Sequence, residues 1–439
     1  MIRRRTAGRR PAGKLPALLV LAAAAALPAA AAKLDSASLS GFRARPIGPA
    51  AFGGRIEAID ASSKNPKVIW IGAAGGGVWK SIDGGVTYKP VFDKYTQSIG
   101  AVAIDQAHPD TVWVGTGEGD TRNSVSVGSG IYRTDDGGDD WKAMGLPESE
   151  RIARIAIDPA DSKTVLAAVV GRLWSDSAER GVFRTTDGGN TWQKVLYVNP
   201  STGCADLAID PKNPKRMYAA MWDFRRRPDF FRSGGPGSGL WRSLDGGAHW
   251  TRLTEGLPAG ELGRIAIAVA PSRPETVYAT VESARTALYR SDDAGDHWKL
   301  VNTSFNVGVR PFYFSHLAVD PRDPERVYKP GFMLTVSDDG GKSFSGGSGF
   351  DFGSYHSDTH ALWIDPADSD HLMLGTDGGV YVSRDRGGRW LFQRTLPVSQ
   401  PYRVALDDAR PYNVYGGFQD NGCWYGPSAG PGGIGNHAW

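Results

Sequence analysis

An eight-residue pattern recurs seven times along this chain: Ser or Thr, any residue, Asp, any residue, Gly, two further residues, then an aromatic. The copies begin at Ser81, Thr134, Thr185, Ser243, Ser291, Ser337 and Ser383. They close on Tyr88, Trp141, Trp192, Trp250, Trp298, Phe344 and Trp390. Their aspartates, Asp83, Asp136, Asp187, Asp245, Asp293, Asp339 and Asp385, lie 53, 51, 58, 48, 46 and 46 residues apart. A period of this size means one supersecondary unit copied along the chain. A motif present in every unit is read first as structure, so function has to be sought between the copies.

The pattern has the chemistry of a hairpin turn. An Asp carboxylate accepts nearby backbone N–H groups, and a Gly supplies backbone angles closed to other residues. The closing aromatic brings a large apolar face that can wedge one unit against the next. Around the first copy, Arg55–Asp60, Lys67–Gly72, Gly77–Ser81 and Val86–Phe92 alternate in the manner of strands, with β-branched residues and Gly, Pro and Asp between them. Later units reuse the same opening, as in Ile157-Asp158-Pro159, Ile209-Asp210-Pro211 and Ile364-Asp365-Pro366. Four short strands per unit form the blade of a β-propeller. The expected fold is therefore all-β, a propeller of four-stranded blades over residues 33–401 with seven complete blades. Residues 402–439 start a further blade and stop before an eighth turn motif, as a truncated chain would. The alternative is an eight-bladed ring completed by a strand within Leu39–Pro49.

Residues 1–32 read as a signal peptide. Arg3, Arg4, Arg5, Arg9, Arg10 and Lys14 make a basic start, Leu18–Leu27 is apolar, and Ala30-Ala31-Ala32 suits cleavage. This places the protein outside the cytoplasm, secreted or periplasmic, with no membrane span once the segment is removed. The full chain is formally +3, and this segment holds six positive and no negative charges, so the remainder is −3. Nucleic-acid binding loses its electrostatic support. The one dense basic run left is Arg225-Arg226-Arg227, which reads as a solvated loop. Cys204 and Cys423 are the two cysteines, and an exported chain permits but does not require their pairing.

In a four-stranded blade the turn motifs lie on one face. The loops between strands two and three, and between blades, lie on the other. The long loops, Gly115–Gly130, Val170–Gly181, Met221–Gly239, Asn302–Ser315 and Ser345–Thr359, nearly all belong to that second face. Long loops on a rigid scaffold are where ligand-contacting residues concentrate. The candidates are Glu118, Asp120 and Arg122, then Trp174, then Trp222, Asp223 and Arg225. Arg310, Tyr313 and His316 follow, and Asp377 and Asp420 complete the set. Aromatics among carboxylates and amides suit sugar rings and equally suit a peptide. His356, Asp358 and His360 would share one side of an extended segment. Metal binding, contact with a polar ligand and structural hydrogen bonding all remain open for that trio. No metal site or other cofactor is assigned from the sequence.

The turn motif resembles the Asp-box, or BNR repeat, of sialidases and sortilins. The chain as a whole is similar to bacterial secreted Asp-box propellers described as glycosyl-hydrolase-like or sortilin-N-terminal-like. The likeness rests on Gly75-Gly-Gly-Val-Trp-Lys-Ser81, Ser233-Gly-Gly-Pro-Gly-Ser-Gly239, His360-Ala-Leu-Trp-Ile-Asp365 and Gly417-Phe-Gln-Asp-Asn-Gly422. It implies a carbohydrate-binding or carbohydrate-processing propeller, with further propeller or C-terminal modules in longer relatives. The sortilin side implies instead a peptide- or protein-binding module without catalysis. By architecture the nearest enzymes are xyloglucanase-type endoglucanases, which place one catalytic aspartate on each of two propellers. Their early Thr-Asp-x-Gly-Gly motif is Ala73-Ala74-Gly75-Gly76-Gly77 here, and Thr376-Asp377-Gly378-Gly379 occurs in the seventh unit instead. The resemblance therefore implies little or no hydrolysis by this chain alone. Glu118, Asp377 and Asp420 are the carboxylates to test in a longer form.

Overall fold

The computed structural model describes residues 53–346, 354–430 and 434. The expected signal peptide, and the Leu39–Pro49 strand of the eight-bladed alternative, lie outside the described residues. The architecture is nearly all-β, with eight antiparallel sheets in chain order. Among the described residues the one helical element is the four-residue turn Phe305–Gly308, and no helix is long and apolar enough to cross a membrane.

The first sheet shows the unit. Ile56–Ala61, Ile69–Ala73, Gly77–Ser81 and Lys89–Pro90 pair in sequence order. The expected fourth strand, Val86–Phe92, shrinks to two paired residues because the chain is still leaving its turn at Val86. Sheets two, three, five and seven also have four strands, and sheets six and eight have three. Sheet four gains a fifth because its second strand runs on from Met217 to Arg227 and pairs with Phe230–Ser233. Much of the Met221–Gly239 segment expected as a loop is thus a hairpin.

Alternation along each strand sends side chains into two different cores. Trp70 packs with Ile99 and Val112 of the second sheet. Its neighbour Ile71 points the other way, toward Trp363, Met373 and Val380 of the seventh. An apolar core of this kind lies between every successive pair from sheet one to sheet seven, and another lies between the seventh and the first. The last junction brings backbones together: Gly53 N–H donates to the Gly378 carbonyl at 2.8 Å. A Cβ on Gly53 would lie 2.5 Å from the Gly379 Cα. The first strand of the eighth sheet, Pro401–Leu406, is exposed along its whole length. Cys204 is buried, Cys423 is exposed, and both are free thiols.

The repeated turns share one hydrogen-bond pattern. In the third, the Thr185 hydroxyl donates to Asp187 Oδ1 at 2.7 Å while its oxygen accepts the Gly189 N–H at 2.9 Å. Asp187 also accepts the Thr191 N–H at 3.0 Å and the Thr191 hydroxyl at 2.7 Å. Gly189 has φ +92°, open to glycine at little cost. The closing Trp192 donates its indole N–H to Met144 of the preceding sheet and stands edge-on to Trp113. Hydroxyl and N–H donors from Thr191 hold the Asp187 carboxyl at about 2. Asp187→Ala is expected to lower the melting temperature by about 2 °C or more and to remove part of the acid sensitivity between pH 4 and 2. A depressed carboxyl stabilises above its ordinary value and loses that effect as pH falls through its folded one. An unchanged thermal melt would show that the carboxylate does not hold the turn.

Candidate active site

Where the inner strands begin and their partners end, the face carrying the long loops closes over a cluster of charged side chains. Arg55 precedes the inner strand of sheet one and Arg264 that of sheet five, and His360 is the second residue of the inner strand of sheet seven. Glu118 and Asp120 follow the second strand of sheet two, and Asp377 follows that of sheet seven. All six are at most 2 % exposed.

Their contacts cross the molecule. Arg55 grips Asp377 with two nitrogens, at 2.6 and 2.8 Å, and Glu118 with the third, at 2.6 Å. Arg122 reaches the same Glu118 at 3.2 Å. Arg264 holds Asp120 Oδ1 at 2.6 Å. His360 sits between two carboxylates, with Nδ1 at 2.9 Å from Asp120 and Nε2 at 2.9 Å from Asp377. Four cationic side chains, Arg122 among them, thus meet three carboxylates through charge-assisted hydrogen bonds.

Burial alone would neutralise these groups, and the partners decide otherwise. Burial and Arg55 oppose a charge on His360, yet Asp377 and Asp120 push it up to about 9. Burial pushes Asp377 up, but His360 and Arg55 outweigh it and hold the carboxyl far below its ordinary range. Asp120 is depressed against its burial by Arg264, His316 and His360. Among the described residues Glu57 pairs directly with no cation: burial, then Asp120 and Glu118, raise it to about 8 against His360 and Arg55. Its Oε1 accepts the Asp120 N–H at 3.3 Å and its Oε2 has no partner. Lys329 donates to the Phe314 and Pro330 carbonyls at 2.7 and 2.9 Å. Burial, then Arg264, lower its affinity for the proton to about 7.

Above this floor opens a pocket of about 240 Å³. Arg55 and Asp377 reach it from below. Arg122, Arg310, Tyr313, Asp358 and Asp420 line it from loops of different sheets, and Arg226 from the extended strand of sheet four. Arg310 and Arg55 both lie over the Tyr313 ring, 4.7 and 5.2 Å from its centroid. Asp358 and Asp420 also border a larger recess of about 870 Å³ lined by Phe332, Tyr355, Tyr381, Trp390 and Phe392. Burial, then the neighbouring Asp377, raise the Asp358 carboxyl. Asp420 stands exposed at the tip of the hairpin joining the last two strands, and the neighbouring Asn421 donates to the Asp377 carbonyl at 3.3 Å.

Glu118, Arg122, Arg310, Tyr313, Asp358, His360, Asp377 and Asp420 therefore belong to the pocket or its floor. His316 lies beneath, 3.6 Å from Asp120. The remaining candidates stand elsewhere. Trp222 is fully buried and stacked on Phe224 at 4.3 Å, because both fall on the inward side of a strand that runs to Arg227. A ligand on the long-loop face cannot touch it. Asp223 is buried too, accepting from Ser201 and Arg232. Arg225 pairs with Asp176, and the exposed Trp174 is not a pocket residue. His356, Asp358 and His360 do not share one side. Asp358 has φ +58°, which breaks the extended run. His360 then points into the charged floor, while His356 Nε2 faces the Asp420 carbonyl at 3.3 Å. Asp120, His316 and His360 do bring one metal-ligand atom each to within 4.8 Å of one another. Both ring nitrogens of His360 already face carboxylates and Arg264 occupies Asp120, so this trio suits a shared proton better than a cation.

Arg55, Glu57, Arg264 and Lys329 were not among the sequence candidates. A signal for two of them was present: Arg55-Ile56, Arg151-Ile152 and Arg264-Ile265 repeat one dipeptide at the start of three inner strands.

A family model described as sortilin, neurotensin receptor 3 (Sortilin-Vps10) matches residues 76–220. A xyloglucanase from Paenibacillus sp is 26% identical over 355 residues, covering 64% of this chain and 32% of the relative. The oligoxyloglucan-reducing end-specific xyloglucanase of Emericella nidulans is 26% identical over 406 residues, covering 82% of this chain and 42% of its own length. Among solved structures, an ancestral GH74 enzyme superposes with a TM-score of 0.62 at 19% identity, over 87% of this chain and 54% of that one. The chain spans less than two thirds of the length of each of these proteins. In fold and in sequence it is a β-propeller related to the xyloglucanases.

Proposed function

We propose that this chain is an exported propeller that binds a polysaccharide in the pocket on its long-loop face, and that a longer form would process it. The observation that carries the reading is convergence. Loops of sheets two, seven and eight, with the extended strand of sheet four and the segment between five and six, place polar and aromatic groups around one opening. The adjoining aromatic recess gives a chain of sugar rings somewhere to continue. A few placed polar groups beside apolar walls are the usual make-up of a ligand site. The xyloglucanase relatives favour a polysaccharide over a peptide. We take the first seven sheets as the ring and residues 402–439 as the start of a further unit whose hairpin closes the pocket.

Hydrolysis by this chain alone is not expected. A glycosidase needs two carboxyl groups flanking the bond, one of them able to give a proton. Asp377 is locked and ionised by Arg55 and His360. The station it occupies at the end of a second strand is filled in sheet one by the buried Ala74.

The test is a glycan array beside a peptide library, both screened with the full chain, followed by calorimetry on the best ligand. Tyr313→Ala is expected to weaken glycan binding about tenfold, the order expected for an aromatic contact. Asp187→Ala, on the opposite face, should leave affinity unchanged. Peptide binding without glycan binding would favour the sortilin-like reading instead.

A further inference from the structure

Of the four guanidinium groups around the pocket, two are already committed to carboxylates. Arg55 spends its fork on Asp377 and Glu118, and Arg122 shares that same Glu118 at longer range. The other two have no acid. Arg226 donates to the side-chain oxygen of Asn123 at 2.8 Å and lies over Phe231 at 4.8 Å. Arg310 makes neither an ion pair nor a side-chain hydrogen bond among the described residues. It rests on the faces of Tyr313 and Phe314, at 4.7 and 5.4 Å. Neither carboxyl group left on the wall pairs with them among the described residues: Asp358 accepts from the Ser357 hydroxyl, and the exposed Asp420 accepts from Gln419 at 2.8 Å.

Two further features point the same way. Thr121 is 0 % exposed, borders the pocket, and its hydroxyl has no hydrogen-bond partner. Arg310 sits at φ +42°, in the left-handed region that disfavours a branched or long side chain. The strained backbone holds a cation at the mouth of the site, stacked and unpaired. A guanidinium pre-set on an aromatic face matches a carboxylate in two parallel hydrogen bonds.

We infer that the pocket is built for an acidic sugar unit, with the ring carboxylate of a uronate received by Arg310 and Arg226 and the buried Thr121 hydroxyl beside it. This rests on the polysaccharide reading and narrows it to a charged polymer rather than a neutral glucan. The neighbouring aromatic recess then takes the apolar faces of adjoining rings.

The experiment compares polygalacturonate with its fully methyl-esterified form, the same backbone without the charge, by calorimetry on the full chain. Neutral xyloglucan and poly-aspartate serve as the other two probes. Polygalacturonate is expected to bind about tenfold or more tighter than the ester, as a charge-assisted bidentate contact would give. That preference should shrink as salt is raised from 50 to about 300 mM. Arg310→Ala should erase the difference between the two forms, and Arg310→Lys should keep part of it. Arg310 is exposed, so a thermal melt of the Ala variant is expected to match the parent and to exclude misfolding. Equal affinity for acid and ester, or a preference that survives in Arg310→Ala, overturns the inference. Binding of xyloglucan alone overturns it while leaving the polysaccharide reading intact. No binding to any polysaccharide removes both, and poly-aspartate binding as tightly as polygalacturonate reduces the site to a general anion trap.

Discussion

Arg55→Met is expected to destabilise the protein by about 3–5 kcal/mol, the usual cost of removing one partner from a buried charge pair. The side chain is 2 % exposed and serves two carboxylates, Glu118 and Asp377, which are themselves buried. Methionine keeps the aliphatic length and removes the charge. Glu118 then loses its nearest cation, and Asp377 keeps His360 alone. The stacking of Arg55 on Tyr313 is lost as well. Urea titration followed by tryptophan fluorescence reads the effect as a lowered midpoint. Adding Asp377→Asn to Arg55→Met should recover part of the loss, because the uncompensated carboxylate goes with it. The two sites are in contact and should not be additive. An unchanged midpoint in the single variant would mean that the network contributes nothing to folding.

The same residue shows where sequence reasoning reached and where it stopped. The repeat could be read because each copy carries its own local chemistry: a hydroxyl, a carboxylate, a glycine and an aromatic within eight residues. Strand order followed from that, and so did the face on which long loops gather. Asp377 and Glu118 were legible as loop carboxylates. Their shared partner was not, because Arg55 stands 322 positions from one and 63 from the other. A closed ring makes neighbours of positions that no local window can join. Arg55 also looked like part of a strand, which hides a charge that in fact sits at the strand's first open end. Trp222 failed for the opposite reason. A break was expected after Met221, and the strand instead continues for six more residues to Arg227. Alternation then carries the indole inward, beneath Arg264 at 5.2 Å. His360 was singled out with metal binding, polar-ligand contact and structural hydrogen bonding all open, and its place between Asp120 and Asp377 was not foreseen. One left-handed residue, Asp358, separates those outcomes.

Stability should be greatest near pH 5 and fall by pH 8, and Glu57 should account for much of the fall. Glu57 is raised to about 8 by burial, then by Asp120 and Glu118. A raised group stabilises fully below its ordinary value and loses that contribution as pH rises through its folded one. For Glu57 the window runs from about 4.5 to about 8. His360, raised to about 9, loses its contribution from about 6.5 upward. Asp120 and Asp377 are depressed, so their contribution is present above pH 4 and disappears only in stronger acid. Lys329 runs the other way: lowered to about 7, it restores stability between about 7 and 10.5 and blunts the decline there. From pH 5 to about 6.5 the partly buried His316 opposes the loss, because burial lowers its proton affinity and stability rises with pH toward its ordinary value. Tenfold in proton affinity is about 1.4 kcal/mol, so Glu57 alone can carry a few kcal/mol across its window. Glu57→Gln keeps an oxygen for the Asp120 N–H and has no proton to release. Urea midpoints at pH 5, 6.5 and 8 should therefore decline steeply in the parent and much less in the variant. A parent midpoint that is flat or rising from pH 5 to 8, or an equal slope in Glu57→Gln, would place the charge balance of this axial cluster elsewhere.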